Sequence, residues 1–167
     1  MPPRGELRID AATVEDVAVI LSLIKELAAY ERMSDQVVAT EADIHRCLCS
    51  DSPYAEALIA RVGLDTVGFA LFFHTFSTFI GRPGLYLEDL YVRPAWRDRG
   101  YGRQILAELA RIALRRRCGR LEWSVLNWNE RAMASYRKVG AAPMNEWTAW
   151  RLSGRKLEAL ATETSRR

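Results

Sequence analysis

Residues 85–104, LYLEDLYVRPAWRDRGYGRQ, constrain the fold more than any other stretch. Residues 85–92 are an apolar run with strand character, and Pro94 argues that it ends there, since proline cannot donate to a ladder. From Gly100 to Arg117, Ile105, Leu106, Leu109, Ala110 and Ala113 recur at helical spacing. After the Cys118–Gly119 stop, residues 120–126 read as another strand. Strand, helix and strand in that order form a crossover, which sets the two strands locally parallel.

Around this unit the other elements fall in order. Residues 6–10 read as a short first strand. Thr13, with Asp16 three residues on, resembles a capping box. The helix after it carries Val17, Ile20, Leu21, Ile24, Leu27 and Ala28 on one face and ends near residues 30–33. Thr40 with Asp43 starts a short second helix through His45 and Leu48. Residues 54–62 and 67–76 read as strands joined by the GLDT turn, and residues 77–84 as a loop. Asn129 caps a helix carrying Ala132, Met133 and Tyr136, which ends at Gly140. Residues 145–152 read as a last strand, and the tail from Ser153 as a short helix or a disordered end, disordered after about residue 160. The fold class is therefore mixed α/β (α+β): one domain over residues 1–167, with helices covering a central, mostly antiparallel sheet.

Bulk properties exclude several classes. The chain has 167 residues, 49% hydrophobic and 27% charged, ordinary for a globular domain. Its formal net charge of +3 is too mild to imply nucleic acid. No apolar run approaches the ~18–20 residues of a membrane span, and no signal-peptide pattern is visible. The three cysteines, Cys47, Cys49 and Cys118, form no CxxC pair. They suit a reducing cytoplasm, and with only His45 and His74 to assist they give no metal site. The basic run RIALRRRCGR reads as favourable helix-dipole placement on a solvated face. It is also suited to a ribose phosphate or an acidic partner.

Arg97, Asp98, Arg99, Gly100, Tyr101, Gly102 and Arg103 lie between the strand and the helix of the crossover. Backbone N–H groups at a helix start form an anion site, glycines admit close approach, and arginines add charge. A phosphate ligand and a plain basic helix start both fit this composition. The loop is no Rossmann fingerprint, because the third glycine position is occupied by Ile105, and the P-loop G-K-[ST] is absent.

The pattern Arg97-x-x-Gly100-x-Gly102 resembles the pyrophosphate loop of the GNAT acetyltransferases, which bind acetyl-CoA. ILSLIKELAAYERM, FIGRPGLYLEDLYV, RIALRRRCGRLEWSVLNWNERAMASYRKVGA and WRL resemble the diamine branch of that superfamily. That branch holds the spermidine/spermine and thialysine N-acetyltransferases. The likeness runs in order from about residue 7 to residue 160.

The resemblance implies the GNAT fold, acetyl-CoA as cosubstrate, a small-molecule amine as partner, and a homodimer with active sites near its interface. It implies that Glu88 faces the substrate cleft, as base or as the acid aligning the ammonium, while Asp89 helps shape the site. Adjacent strand residues point to opposite faces, so the two acids are expected to do different jobs. The strand is expected to bulge and splay there, freeing Leu90 and Val92, with Tyr91 between them, to bind the acetyl carbonyl and the pantetheine arm. Residues 97–103 would hold the pyrophosphate, and Asn129 would contact the cofactor arm. Tyr136 matches the tyrosine that protonates the leaving thiolate. Tyr30 and Glu31 match the amine contacts, and Trp150 either walls the cleft or packs in the core.

The chain departs from the polyamine pattern at Thr148, where those enzymes offer an acid, although Glu146 is close. Its basic balance also disfavours a polycation. A shorter diamine or a lysine-like amine is thus as well suited as spermidine. An acetyltransferase for protein lysines or antibiotics, and a non-catalytic acetyl-CoA-binding protein, are the competing classes.

Overall fold

The computed structural model describes residues 5–163, in two compact units that divide after Leu126. The first unit holds β1 (Leu7–Ala11), α1 (Val17–Tyr30), α2 (Glu41–Cys49), β2 (Glu56–Val62), β3 (Asp65–Ser77), β4 (Arg82–Val92), α3 (Tyr101–Arg115) and β5 (Leu121–Trp123). The strands form one sheet in the order β1-β2-β3-β4-β5. The first three pairings are antiparallel and β4–β5 is parallel, as the crossover requires.

Helices cover both faces of the sheet. On one face Val17, Ile20, Leu21, Leu23 and Leu27 of α1 and Ile44 of α2 bury against Ala57, Ile59, Phe69, Leu71 and Tyr91. By strand alternation Leu58, Ala60, Ala70, Phe72, Leu85 and Leu87 face the other side. Those residues are buried, as are Ile105, Leu109 and Ile112 of α3, which packs on β4, β5 and β1. Phe69 and Phe72 are fully buried, at about 2–3 kcal/mol each.

Local signals explain the helix starts. The Asp16 carboxylate accepts from the Thr13 backbone N–H at 2.9 Å and holds a single turn that runs into α1. Arg61 of β2 pairs with the same carboxylate, which gives this buried acid its counter-charge. Thr40 and Asp43 close a true capping box before α2, with the Thr40 N–H on Asp43 at 2.8 Å.

The β3–β4 arm is longer than the sequence pattern implies. The expected loop at residues 77–84 shrinks to a turn, because pairing runs on to Ser77↔Arg82. Pro83 is tolerated near the start of its strand, and its carbonyl accepts from Gly119 N–H at 2.8 Å. β5, expected over residues 120–126, is only Leu121–Trp123.

The second unit holds α4 (Glu130–Lys138) and α5 (Gly154–Ala161). Residues 145–152, expected as a last strand, form none. That unit offers no other strand among the described residues, and a strand without a ladder partner leaves its backbone groups unsatisfied. Trp147 and Trp150 are consequently 72% and 93% exposed, so Trp150 packs in no core. The tail is helical through Ala161, and its last four residues lie outside those described.

Candidate active site

The site is built around a fault in one strand. Leu71 pairs with Asp89 and Phe72 with Leu87, so Glu88 is an extra residue on β4, a β-bulge. Before the bulge, even-numbered Tyr86 shares a face with Phe73, their ring centroids 5.2 Å apart. After it, odd-numbered Tyr91 lies in the cluster beneath α1. The alternation therefore switches at Glu88, which brings Glu88 and Asp89 to the same face. The bulge that the resemblance implied is present, and it corrects the expectation of opposite faces, which applied plain alternation across it.

Glu31, at the C-terminal cap of α1, completes an acidic group on that face. Burial pushes the Asp89 carboxyl up to about 6, and the neighbouring charges of Glu88 and Glu31 push the same way. Burial also raises Glu31 above the ordinary carboxylate range. Three carboxylates gathered on one face, two of them raising the proton affinity of Asp89, form a well for a cation.

Beside the bulge the sheet opens. Pairing of β4 with β5 ends at Leu87↔Trp123, while β4 continues to Val92. Arg93 N–H donates to Val67 of β3 at 2.9 Å. Alternation then turns the N–H groups of Leu90 and Val92 away from β3, toward the side where β5 no longer pairs. Two backbone donors two residues apart thus face a gap in the sheet, next to the acids.

The gap leads to the glycine loop. After a single 3-10 turn at Pro94–Trp96, Asp98 and Gly100 take left-handed conformations, φ +63° and +76°. The first intrahelical donor of α3 is Gln104, bonded to Gly100, so Tyr101, Gly102 and Arg103 present unspent N–H groups at the helix start. A Cβ added at Gly100 or Gly102 would meet nothing within 4 Å, so the approach is open. The loop fits an anion with several oxygens, such as a pyrophosphate.

The loop arginines divide their work. The Arg99 guanidinium lies 5.2 Å from the centre of the Trp96 ring, within the loop itself. Arg97 reaches back instead: its Nε donates to the Val92 carbonyl at 2.9 Å, and its guanidinium lies 4.5 Å over Tyr30 and 5.5 Å from Tyr91. Arg93 makes a parallel contact, donating to Glu26 at 2.8 Å and to the Thr66 carbonyl at 2.8 Å. Sequence reasoning missed both arginine–α1 contacts. The signal was present, because Glu26 and Tyr30 are four residues apart and so are Arg93 and Arg97.

The basic run at the end of α3 is largely spent. Arg111 and Arg115 pair with Glu108, and Arg116 forks onto Glu56 at 2.5 and 2.7 Å. Among the described residues no three His, Cys, Asp or Glu converge as metal ligands.

In the second unit Asn129 Oδ1 accepts from Ala132 N–H at 3.2 Å and caps α4. Tyr136, two turns on and half-buried, shares that helix. Trp150 lies beyond α4, on irregular backbone.

The sequence model described as the acetyltransferase (GNAT) family matches residues 20–141. Thialysine N-epsilon-acetyltransferase of Bos taurus is 37% identical over 157 residues, covering 87% of this chain and 92% of that protein. L-ornithine N5-acetyltransferase NATA1 of Arabidopsis thaliana is 27% identical, covering 92% and 87%. Among solved structures, an integron cassette protein of V. cholerae, VCH_CASS6, superposes with a TM-score of 0.79 at 25% identity, covering 94% of this chain and 98% of that one.

Proposed function

The chain belongs to the acetyltransferase (GNAT) family, and from that premise we propose that it moves the acetyl group of acetyl-CoA to a primary amine of a small lysine-like molecule or diamine. The observation that carries the choice of amine is the convergence of Glu31, Glu88 and Asp89 beside two open backbone donors. Only a cationic group profits from that well, and an amine is cationic near neutral pH, with a reference pKa near ~10.4.

In this reading the loop's N–H groups and Arg103 hold the pyrophosphate, and Asn129 contacts the cofactor arm. The N–H groups of Leu90 and Val92 receive the acetyl carbonyl and the arm, where a donor aimed at the developing oxyanion is worth ~10²–10³ in rate. The acids hold the ammonium, and Glu88 with Asp89 takes its proton, directly or through water. The neutral nitrogen attacks the thioester carbon, the C–S bond breaks, and Tyr136 gives its proton to the departing thiolate. The reading includes a homodimer and a cytoplasmic setting. Support comes from Phe79, 96% exposed at the β3–β4 turn, and from three cysteines outside any disulfide.

Named relatives favour an amino-acid amine: two of those above act, by their names, on thialysine and L-ornithine. A polyamine remains the second reading, favoured by a human spermidine/spermine N(1)-acetyltransferase-like protein 1 that is 37% identical over 152 residues, 87% of this chain and 22% of that protein. A thiol-release assay over thialysine, ornithine, lysine, short diamines, spermidine, an aminoglycoside and a lysine peptide decides between them. Turnover greatest on the free amino acids is expected. Release with no amine dependence overturns the function. In the same assay Tyr136→Phe is expected to lower turnover by ~10²–10⁴ with acetyl-CoA affinity kept.

A further inference from the structure

Arg97 opens the glycine loop, yet its side chain is committed elsewhere. Its backbone N–H donates to Pro94 at 3.2 Å and its Nε to the Val92 carbonyl at 2.9 Å. Its guanidinium lies over the ring of Tyr30, the last residue of α1, 4.5 Å from the ring centre. An arginine that grips phosphate presents its fork to the anion. This one spends Nε on the end of β4 and lies over two tyrosine rings.

We infer that Arg97 is a positioning residue that ties the amine-binding end of α1 to the root of the glycine loop, so that acetyl-CoA seated on the loop fixes where Tyr30 and Glu31 stand. The identity of that end as amine-binding rests on the function proposed above. The neighbouring tie supports the geometry. Arg93 holds Glu26 one turn earlier on α1 and also holds the Thr66 carbonyl of β3. Arg93 anchors the helix to the sheet, whereas Arg97, on the loop side of the 3-10 turn, connects it to the segment that meets the cofactor. A guanidinium held over two rings resists sliding, and a carbonyl bond from Nε sets its rotation.

The tie predicts effects on the amine side, and a phosphate contact predicts effects on the cofactor side. The test compares wild type, Arg97→Leu, Arg97→Lys, Tyr30→Leu and the Arg97→Leu/Tyr30→Leu double variant. Amine KM and kcat are measured at saturating acetyl-CoA, acetyl-CoA Kd is measured by calorimetry across salt concentrations, and stability by urea unfolding.

The expected result is an amine KM raised by roughly 10-fold in Arg97→Leu, with acetyl-CoA Kd within about twofold and an unchanged salt slope. Tyr30→Leu should do the same, and the double variant should be little worse than either alone, in KM and in unfolding. Arg97→Lys should not restore KM, since it keeps the charge and loses the plane. Should Arg97→Leu fail to fold, the lysine variant carries the same comparison. Acetyl-CoA Kd weakened about tenfold with a shallower salt slope, at unchanged amine KM, overturns the tie. So does simple multiplication of the two single effects. Inactivity of the wild type on every amine would sink the proposed function instead, while the unfolding cycle, which needs no substrate, still decides the tie.

Discussion

Asp89 is the residue whose environment departs furthest from its ordinary one. Its carboxyl is held near 6, against a usual 3.8, by burial first and then by Glu88 and Glu31. The sign of the linkage follows. Between about 4 and 6 the folded chain keeps a proton that the unfolded chain has released, so this group's contribution to stability is full below about 4 and is lost as pH rises through 6. Asp89→Asn should therefore gain thermal stability relative to wild type as pH rises from about 4 to 6 and keep that gain at pH 7. A difference in Tm that is constant with pH would refute it. The sequence named both acids but mistook their relation, because alternation was read across a residue that breaks it. The family resemblance alone implied the bulge, because every residue of LYLEDLYV is compatible with a regular strand.

At the scale of elements, the site depends on how closely β3 and β4 approach beyond the bulge. Gly68 of β3 lies opposite Val92, and a Cβ there would fall 2.4 Å from the Tyr91 carbonyl oxygen and 3.3 Å from the Val92 Cα. Both are backbone atoms, so the strands themselves must part. Gly68→Ala is expected to cost about 1–3 kcal/mol in urea unfolding and to lower acetyl transfer, since it displaces the Leu90 and Val92 donors. Unchanged stability would mean that β4 shifts freely. Helices were the most legible elements, because caps and 3.6-residue periodicity are local. The extent of β5 and the absent last strand were not legible, since a strand exists only where another backbone meets it.

For the whole molecule, net charge and local charge differ in sign. A formal +3 disfavoured a polycation, yet three carboxylates gather on one face, while Asp16, Glu26, Glu56 and Glu108 elsewhere on the first unit are each paired with an arginine. Screening over roughly 8–10 Å makes the local group decisive. The crossover was legible from the start because its strand, loop and helix are contiguous in sequence. The division at Leu126 was not, as no change of composition marks it. Acetyl-CoA at 100 times its Kd should raise Tm by roughly 5–10 °C, the effect of about 2.7 kcal/mol of linkage on a chain of this size. No shift at saturation would remove the cofactor from the reading.

The bulge has an evolutionary consequence. Removing the single codon for Glu88 would leave Leu87 and Leu90 on one face and Tyr86, Asp89 and Tyr91 on the other, now in unbroken alternation. The acid and the irregularity are one residue, so the hydrophobic pattern of β4 is complete without it. A lineage released from selection for chemistry can lose its acid by one in-frame deletion and keep a regular sheet.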